Sequence, residues 1–241
     1  MTLELAVFSR GLAMPSAAVH DSFMISHQHV SDDVLGVILA GGQGRRLGGG
    51  DKSQRLLAGR PLLDYVVDRI RPQLAPSRLV LNANGDANRF GAVGLPVIAD
   101  TMPGQPGPLA GILAAMMAAR ACSPPCHWVF SVPTDTPFLP RDLLQRLLRE
   151  LTTGKAGIVL AASAGGLCQV CGLWPLQLAG DLAQSLAGGQ NGVLAWASRN
   201  KMSTVVFPPE VIGGQPCDPF FNINSPEDLA VAERLVSDQD S

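Results

Sequence analysis

The residues with the most chemical potential gather in one stretch, Gly36 to Ser53, which reads GVILAGGQGRRLGGGDKS. Arg45, Arg46 and Lys52 supply cations there, Asp51 an anion, and the glycines let backbone N–H groups approach a ligand closely. That combination suits a phosphate-rich ligand. The apolar run Val37-Ile38-Leu39-Ala40, closed by Gly41-Gly42, reads as a buried strand feeding the loop. The stretch is neither a P-loop, since no Gly-Lys-Ser/Thr closes it, nor a dinucleotide fingerprint, since no G-x-G-x-x-G follows the strand. On its own such a loop also fits a flexible turn, so residues elsewhere must decide.

Three further polar groups end apolar runs. Asn82 follows Arg78-Leu79-Val80-Leu81, Asp100 follows Pro96-Val97-Ile98-Ala99, and Asp135 follows His127 to Val132 within Pro133-Thr134-Asp135-Thr136-Pro137. Each has a plain alternative as a turn or capping residue. If the strands are parallel, however, all of these ends share one rim with Gly41-Gly42, where open α/β sheets bind ligands.

The elements that would hold these residues alternate. After Pro61, the apolar residues Leu62, Leu63, Val66, Val67 and Ile70 recur at helical spacing. A short helix is expected over Asp86 to Gly91. Longer ones are expected over Leu109 to Ala121, where Met116 and Met117 read as core filler, and over Arg141 to Leu151, Pro175 to Leu186 and Val193 to Arg199. Further strands are expected at Gly157–Ala161, Cys168–Trp174 and Ser203–Phe207. Ser225-Pro226-Glu227-Asp228 is close to a capping box opening a last helix that ends near Val236. This rhythm predicts an α/β fold, a single-domain, Rossmann-like three-layer sandwich with a mostly parallel sheet.

Composition excludes several classes. The chain has 241 residues, a formal net charge of -2 and 16% charged residues, so no basic excess points to nucleic acid. Its longest apolar run, near Leu109 to Ala119, is too short for a membrane span, and a cytoplasmic protein is expected. Residues 1–33 show no clear period and no secretory signal. They read as a poorly ordered extension whose His20, His27 and His29 sit in a solvated tail, with Met14 and Met24 as alternative starts. Five cysteines without a secretion signal read as reduced thiols. Cys122/Cys126 and Cys168/Cys171 have spacings that a zinc site could use, but on a strand Cys168 and Cys171 are expected to face opposite sides of the sheet.

The segments LAGGQGRRLGGGDK, VLNANGD, GPLAGI, PTDTPFLP and FFNINSPEDL, in this order, carry a resemblance over roughly Gly36 to Val236. The first resembles the signature loop of the nucleotidyltransferase superfamily. All five together resemble its molybdenum cofactor guanylyltransferase branch. The resemblance implies that residues 34–241 form a single nucleotidyltransferase domain. It further implies transfer of GMP from GTP to molybdenum-bound molybdopterin, with release of pyrophosphate. Residue by residue, it implies GTP binding by Leu39, Ala40, Gly41, Gly42, Lys52, Asn82, Asp100 and Asp135. It implies catalytic roles for Arg46, Lys52 and Asp135, with Mg²⁺ on Asp135, and pterin contacts from Pro108, Asn222 and Asn224. Cofactor-delivery proteins or molybdoenzyme chaperones are further implied partners. Two positions depart from the family pattern. Cys168-Gln169 stand where His-Pro is usual, and Gly188 to Gly192 lacks the usual basic residues. A cytidylyltransferase on the same pterin and a non-catalytic cofactor-binding relative are the rival readings.

Overall fold

The computed structural model describes residues 32–41, 52–102, 107–154 and 156–237. The first 31 residues, and with them nearly all of the expected extension, lie outside the described residues, as do Gly42, Arg45, Arg46 and Asp51.

The chain enters the sheet at β1 (Val34–Leu39), whose six residues are all buried. A strand apolar on both faces must be covered on both, which is the situation of an interior parallel strand. A small hairpin, β2 (Leu56–Leu57) with β3 (Arg60–Pro61), leads into helix α1 (Leu62–Ile70). Then follow β4 (Leu79–Asn82), a 3₁₀ segment (Ala87–Val93) capped by Asp86, β5 (Val97–Ile98) and α2 (Pro108–Arg120). β6 (Trp128–Pro133), α3 (Leu143–Leu151), β7 (Ile158–Ser163) and the long β8 (Gly166–Pro175) come next. The chain ends through α4 (Ala179–Ala187), α5 (Val193–Arg199), β9 (Met202–Val206), the hairpin β10 (Glu210–Ile212) and β11 (Gln215–Cys217), and α6 (Pro226–Ser237).

Seven strands form one sheet in the order β5-β4-β1-β6-β8-β7-β9. All neighbours are parallel except β8, which runs antiparallel to both β6 and β7. The pleat sorts side chains between two layers. Val34, Ile38 and Ala40 pack with α1 and α3, whereas Leu35, Val37 and Leu39 pack with α2, α4 and α5. A third, smaller cluster lies under the two hairpins and α6, where Leu57, Leu62, Phe138, Ile212, Ile223 and Ala232 meet. The expected three-layer α/β fold is what forms. Met116 is buried as core filler. Met117 corrects its expectation: it is 46% exposed, at the point where the run of buried α2 residues from Leu109 to Met116 ends.

The expectation for Cys168 and Cys171 is also corrected. Leu160 pairs with Gly172 but Ala161 pairs with Cys168, so residues 169–171 of β8 are bulged out of the ladder. The bulge cancels the alternation of the pleat. Cys168 and Cys171 pack into the same cluster on one face, while Leu167, Val170 and Trp174 pack on the other. Ser131 takes over a bond the ladder loses. Its hydroxyl donates to the Val170 carbonyl at 2.6 Å and accepts from Trp174 Nε1 at 2.7 Å. The cysteine pairs lie in different layers, Cys126 and Cys122 with α2 and Cys168 and Cys171 opposite. Burial pushes Cys126 up to about 12 and Cys171 well above the usual thiol range, so both are neutral thiols at neutral pH.

The start of α6 completes the frame. Asp228 Oδ2 accepts from the backbone N–H groups of Asn224 and Ser225, both at 2.9 Å, and Ser225 Oγ accepts from Asp228 N–H at 3.2 Å. This is a capping box with one extra bond to the residue before it. The Asn224 and Ser225 N–H groups hold Asp228 below the usual carboxylate range.

Two variants test this frame. Ser131→Ala strands a buried indole N–H and a carbonyl, and should lower unfolding free energy by about 1–3 kcal/mol in chemical denaturation. An unchanged midpoint would contradict the bulge network. Asp228→Ala should cost about 1 kcal/mol at neutral pH. A depressed carboxylate stabilises above its ordinary value, and that stabilisation fades as pH falls through the lower folded value. The gap between parent and variant should therefore close below about pH 3.9; a gap independent of pH would contradict the cap.

Candidate functional site

The register of the parallel strands aligns their ends. Leu39 pairs with Asn82 on one side and Pro133 on the other, and Asn82 pairs with Ile98. Gly41, Asn82, Asp100 and Asp135 therefore sit along one rim, where the expected four strand ends meet.

Asp135 follows β6, where the chain leaves the sheet. Thr134 and Thr136 on either side are buried, and Thr136 Oγ1 donates to Asp135 Oδ1 at 3.3 Å. The Asp135 carbonyl accepts from Ile223 N–H at 2.9 Å, which fixes the segment before α6 against the strand end. Lys52 opens a single 3₁₀ turn, Lys52–Gln54, anchored by buried Ser53. Its ammonium donates to Asp135 Oδ2 and to Asn224 Oδ1, each at 2.5 Å. The Lys52 and Asp135 side chains are only 11% and 16% exposed, so this charge pair is largely out of water. Three predicted site residues, Lys52, Asp135 and Asn224, thus converge.

The other half of the rim is built around Asp100. Asn82 Nδ2 donates to Asp100 Oδ1 at 3.0 Å and Asn84 Nδ2 to Asp100 Oδ2 at 2.7 Å, while Asn84 Oδ1 accepts from Asp100 N–H at 2.9 Å. Asn82 is 4% exposed, so it holds Asp100 from below rather than projecting into solvent. Asn84 clamps the same carboxylate, and its N-x-N spacing from Asn82 at a strand end is the sequence signal for it. A Cβ at Gly111 would lie 2.2 Å from Asn82 Oδ1, so glycine lets the first turns of α2 close on the strand ends. Ala40 N–H and the Leu39 carbonyl are bonded to Asn82 O and Thr134 N–H. Gly41 is exposed, and a Cβ there would meet nothing within 4 Å. Pro108, expected to touch pterin, occupies the exposed first turn of α2 on this half.

Asn222 lies elsewhere, in the wall of a cavity of about 380 Å³ that Asp135 shares. The turn between β7 and β8, the start of β8 and the segment after β11 form its other walls. Ser163 and Asp218, which no sequence pattern singled out, face each other there across a 2.6 Å hydrogen bond. Cys168 and Gln169, which together make one of the two departures from the family pattern, also line it.

Among the described residues no group of three or more His, Cys, Asp or Glu could hold a metal ion. A cation at Asp135 would take its carboxylate and, beyond it, oxygens of a bound phosphate. Magnesium in phosphate sites is commonly bound in this way, so the donor set fits it. Among the described residues no helix is long and apolar enough to cross a membrane.

Residues 36–202 match the family model for the MobA-like NTP transferase domain. The chain is 48% identical over 208 residues to the molybdenum cofactor guanylyltransferase of Bradyrhizobium sp. (strain ORS 278), covering 86% of this chain and 95% of that one. It is also 48% identical over 201 residues to the enzyme of the same name from Rhodopseudomonas palustris (strain BisB5), covering 83% and 92%. Among solved structures, molybdopterin-guanine dinucleotide biosynthesis protein A from Archaeoglobus fulgidus superposes with a TM-score of 0.65 at 22% identity, over 85% of this chain and 98% of that one. That likeness supports the fold. The sequence similarity, spanning both halves of the rim, shows that the chain belongs to the molybdenum cofactor guanylyltransferases, nucleotidyltransferases with the MobA-like NTP transferase domain.

Proposed function

We propose that this protein transfers GMP from GTP to the terminal phosphate of molybdenum-bound molybdopterin and releases pyrophosphate. The observation that carries the reading is the Lys52–Asp135–Asn224 junction, which joins the glycine-rich loop, the end of β6 and the segment before α6 at one point. The names of the relatives support guanylyl transfer in making a molybdenum cofactor, and the convergence at the junction supports placing the chemistry there.

A phosphate oxygen of the acceptor attacks the α-phosphorus of GTP. One P–O bond forms there and the bond to the bridging oxygen breaks, so that pyrophosphate leaves with its electron pair. A phosphate monoester has a second pKa near 6 and is largely dianionic at neutral pH, so no side chain need remove a proton. The barrier is the meeting of two polyanions. Lys52 meets it with a positive charge held at the rim by Asp135 and Asn224, free to turn from the carboxylate to incoming phosphates. Asp135 would hold the magnesium ion, which when bound supplies positive charge for the phosphate oxygens. Arg45 and Arg46 would add charge from the same loop. Asp100, each of whose oxygens takes one amide, or the backbone carbonyls near it would accept from guanine N1–H and N2–H, a donor edge that cytosine does not present in the same pattern.

Lys52→Ala should lower GTP affinity or turnover at least tenfold, about 1.4 kcal/mol. Asp135→Ala should abolish magnesium-dependent pyrophosphate release while circular dichroism stays that of the parent. Parent-like rates in either variant would contradict the assignment. A competition between GTP and CTP should favour GTP; preference for CTP would transfer the reading to a cytidylyltransferase.

A further inference from the structure

We propose that Asp218 is the specificity-determining residue for the acceptor, reading the 2-amino-pyrimidinone edge of its pterin. The inference rests on the proposed function, because it names what the cavity beside Asp135 recognises. The cavity is lined by two carboxylates with unlike partners. One is Asp135, at the Lys52 junction. In the other, Asp218, Oδ1 accepts from Phe220 N–H at 2.8 Å and Oδ2 accepts from the Ser163 hydroxyl at 2.6 Å. Leu167, Cys168, Val170 and Phe220 give the walls between them apolar surface.

Two donors fix the carboxylate and leave each oxygen a further lone pair. Gly165 makes room for it, since a Cβ there would lie 2.3 Å from Oδ2. Among the described residues no cation lies within ion-pair distance of Asp218. With no described cation beside it, this carboxylate repels phosphate, so it suits a part of the phosphorylated acceptor that carries donors and no charge. A pterin presents N3–H and the 2-amino group side by side, parallel donors that a carboxylate accepts as a pair. Its flat ring suits the apolar walls, and its phosphate then points toward Asp135.

The bonds to Ser163 and Phe220 could serve the loop alone, so the test must separate recognition from scaffolding. Asp218→Asn does this. Asparagine keeps an acceptor for the turn and a partner for the serine hydroxyl, but puts an amide donor against the pterin edge. Fluorescence titrations with pterin and with lumazine, which has a carbonyl in place of the 2-amino group, read the edge directly. The parent should prefer pterin at least tenfold. Asp218→Asn should lose that preference, with the GTP affinity and melting temperature of the parent. In turnover with molybdopterin, the variant's KM for the acceptor should rise at least tenfold with the KM for GTP unchanged. Equal affinity of the parent for the two ligands, or a preference kept by the variant, overturns the inference. Pterin preference at Asp218 without GTP-dependent pyrophosphate release would instead refute the proposed function and leave this site standing.

Discussion

One ammonium group holds the rim together. Lys52 is bonded to Asp135, 83 positions away, and to Asn224, 172 positions away, so three distant segments meet on a single charge. A charge this far from water needs compensation, and the pair is too enclosed to resemble a surface ion pair worth almost nothing. The carboxylate and the amide supply that compensation. Backbone bonds around the junction keep it in place: Ile223 to the Asp135 carbonyl, and Asn224 and Ser225 to the Asp228 carboxylate.

The sheet then divides the rim into two halves. On the side of β4 and β5, buried Asn82 and Asn84 set the Asp100 carboxylate, and glycine at position 111 lets α2 close over them. On the side of β8 and β7, the antiparallel strand opens a cavity walled by the β7–β8 turn and the segment after β11. Asp135, at the end of β6, belongs to the boundary between them. A reaction that joins a nucleotide to a second large molecule needs this arrangement, with the cation-bearing junction between two separate recognition surfaces.

Most of the half beside β4 and β5 was legible in the sequence because it depends on local rules. Apolar runs ending in Gly, Asn or Asp mark strand ends, and parallel register carries those ends to one edge whatever the helices between them do. Ser225 and Asp228 announced their cap by spacing alone. The half beside β8 and β7 was less legible, for physical reasons. The bulge at residues 169–171 breaks the two-residue period on which any face assignment relies, and its bond partner, Ser131, lies 39 positions upstream. Ser163, at the end of β7, and Asp218, just after β11, are 55 positions apart and meet only in the folded chain. The β10–β11 hairpin did leave a local trace, the Gly213-Gly214 pair with φ of 55° and 71°, the conformation a tight two-residue turn requires.

The most direct test of the central claim is to follow the α-phosphate of GTP. With labelled α-phosphate, magnesium and molybdenum-loaded molybdopterin, the label should enter a dinucleotide product in step with pyrophosphate, one for one. Label that remains in GTP, or appears only as free GMP, would contradict the assignment of this rim as a centre for guanylyl transfer.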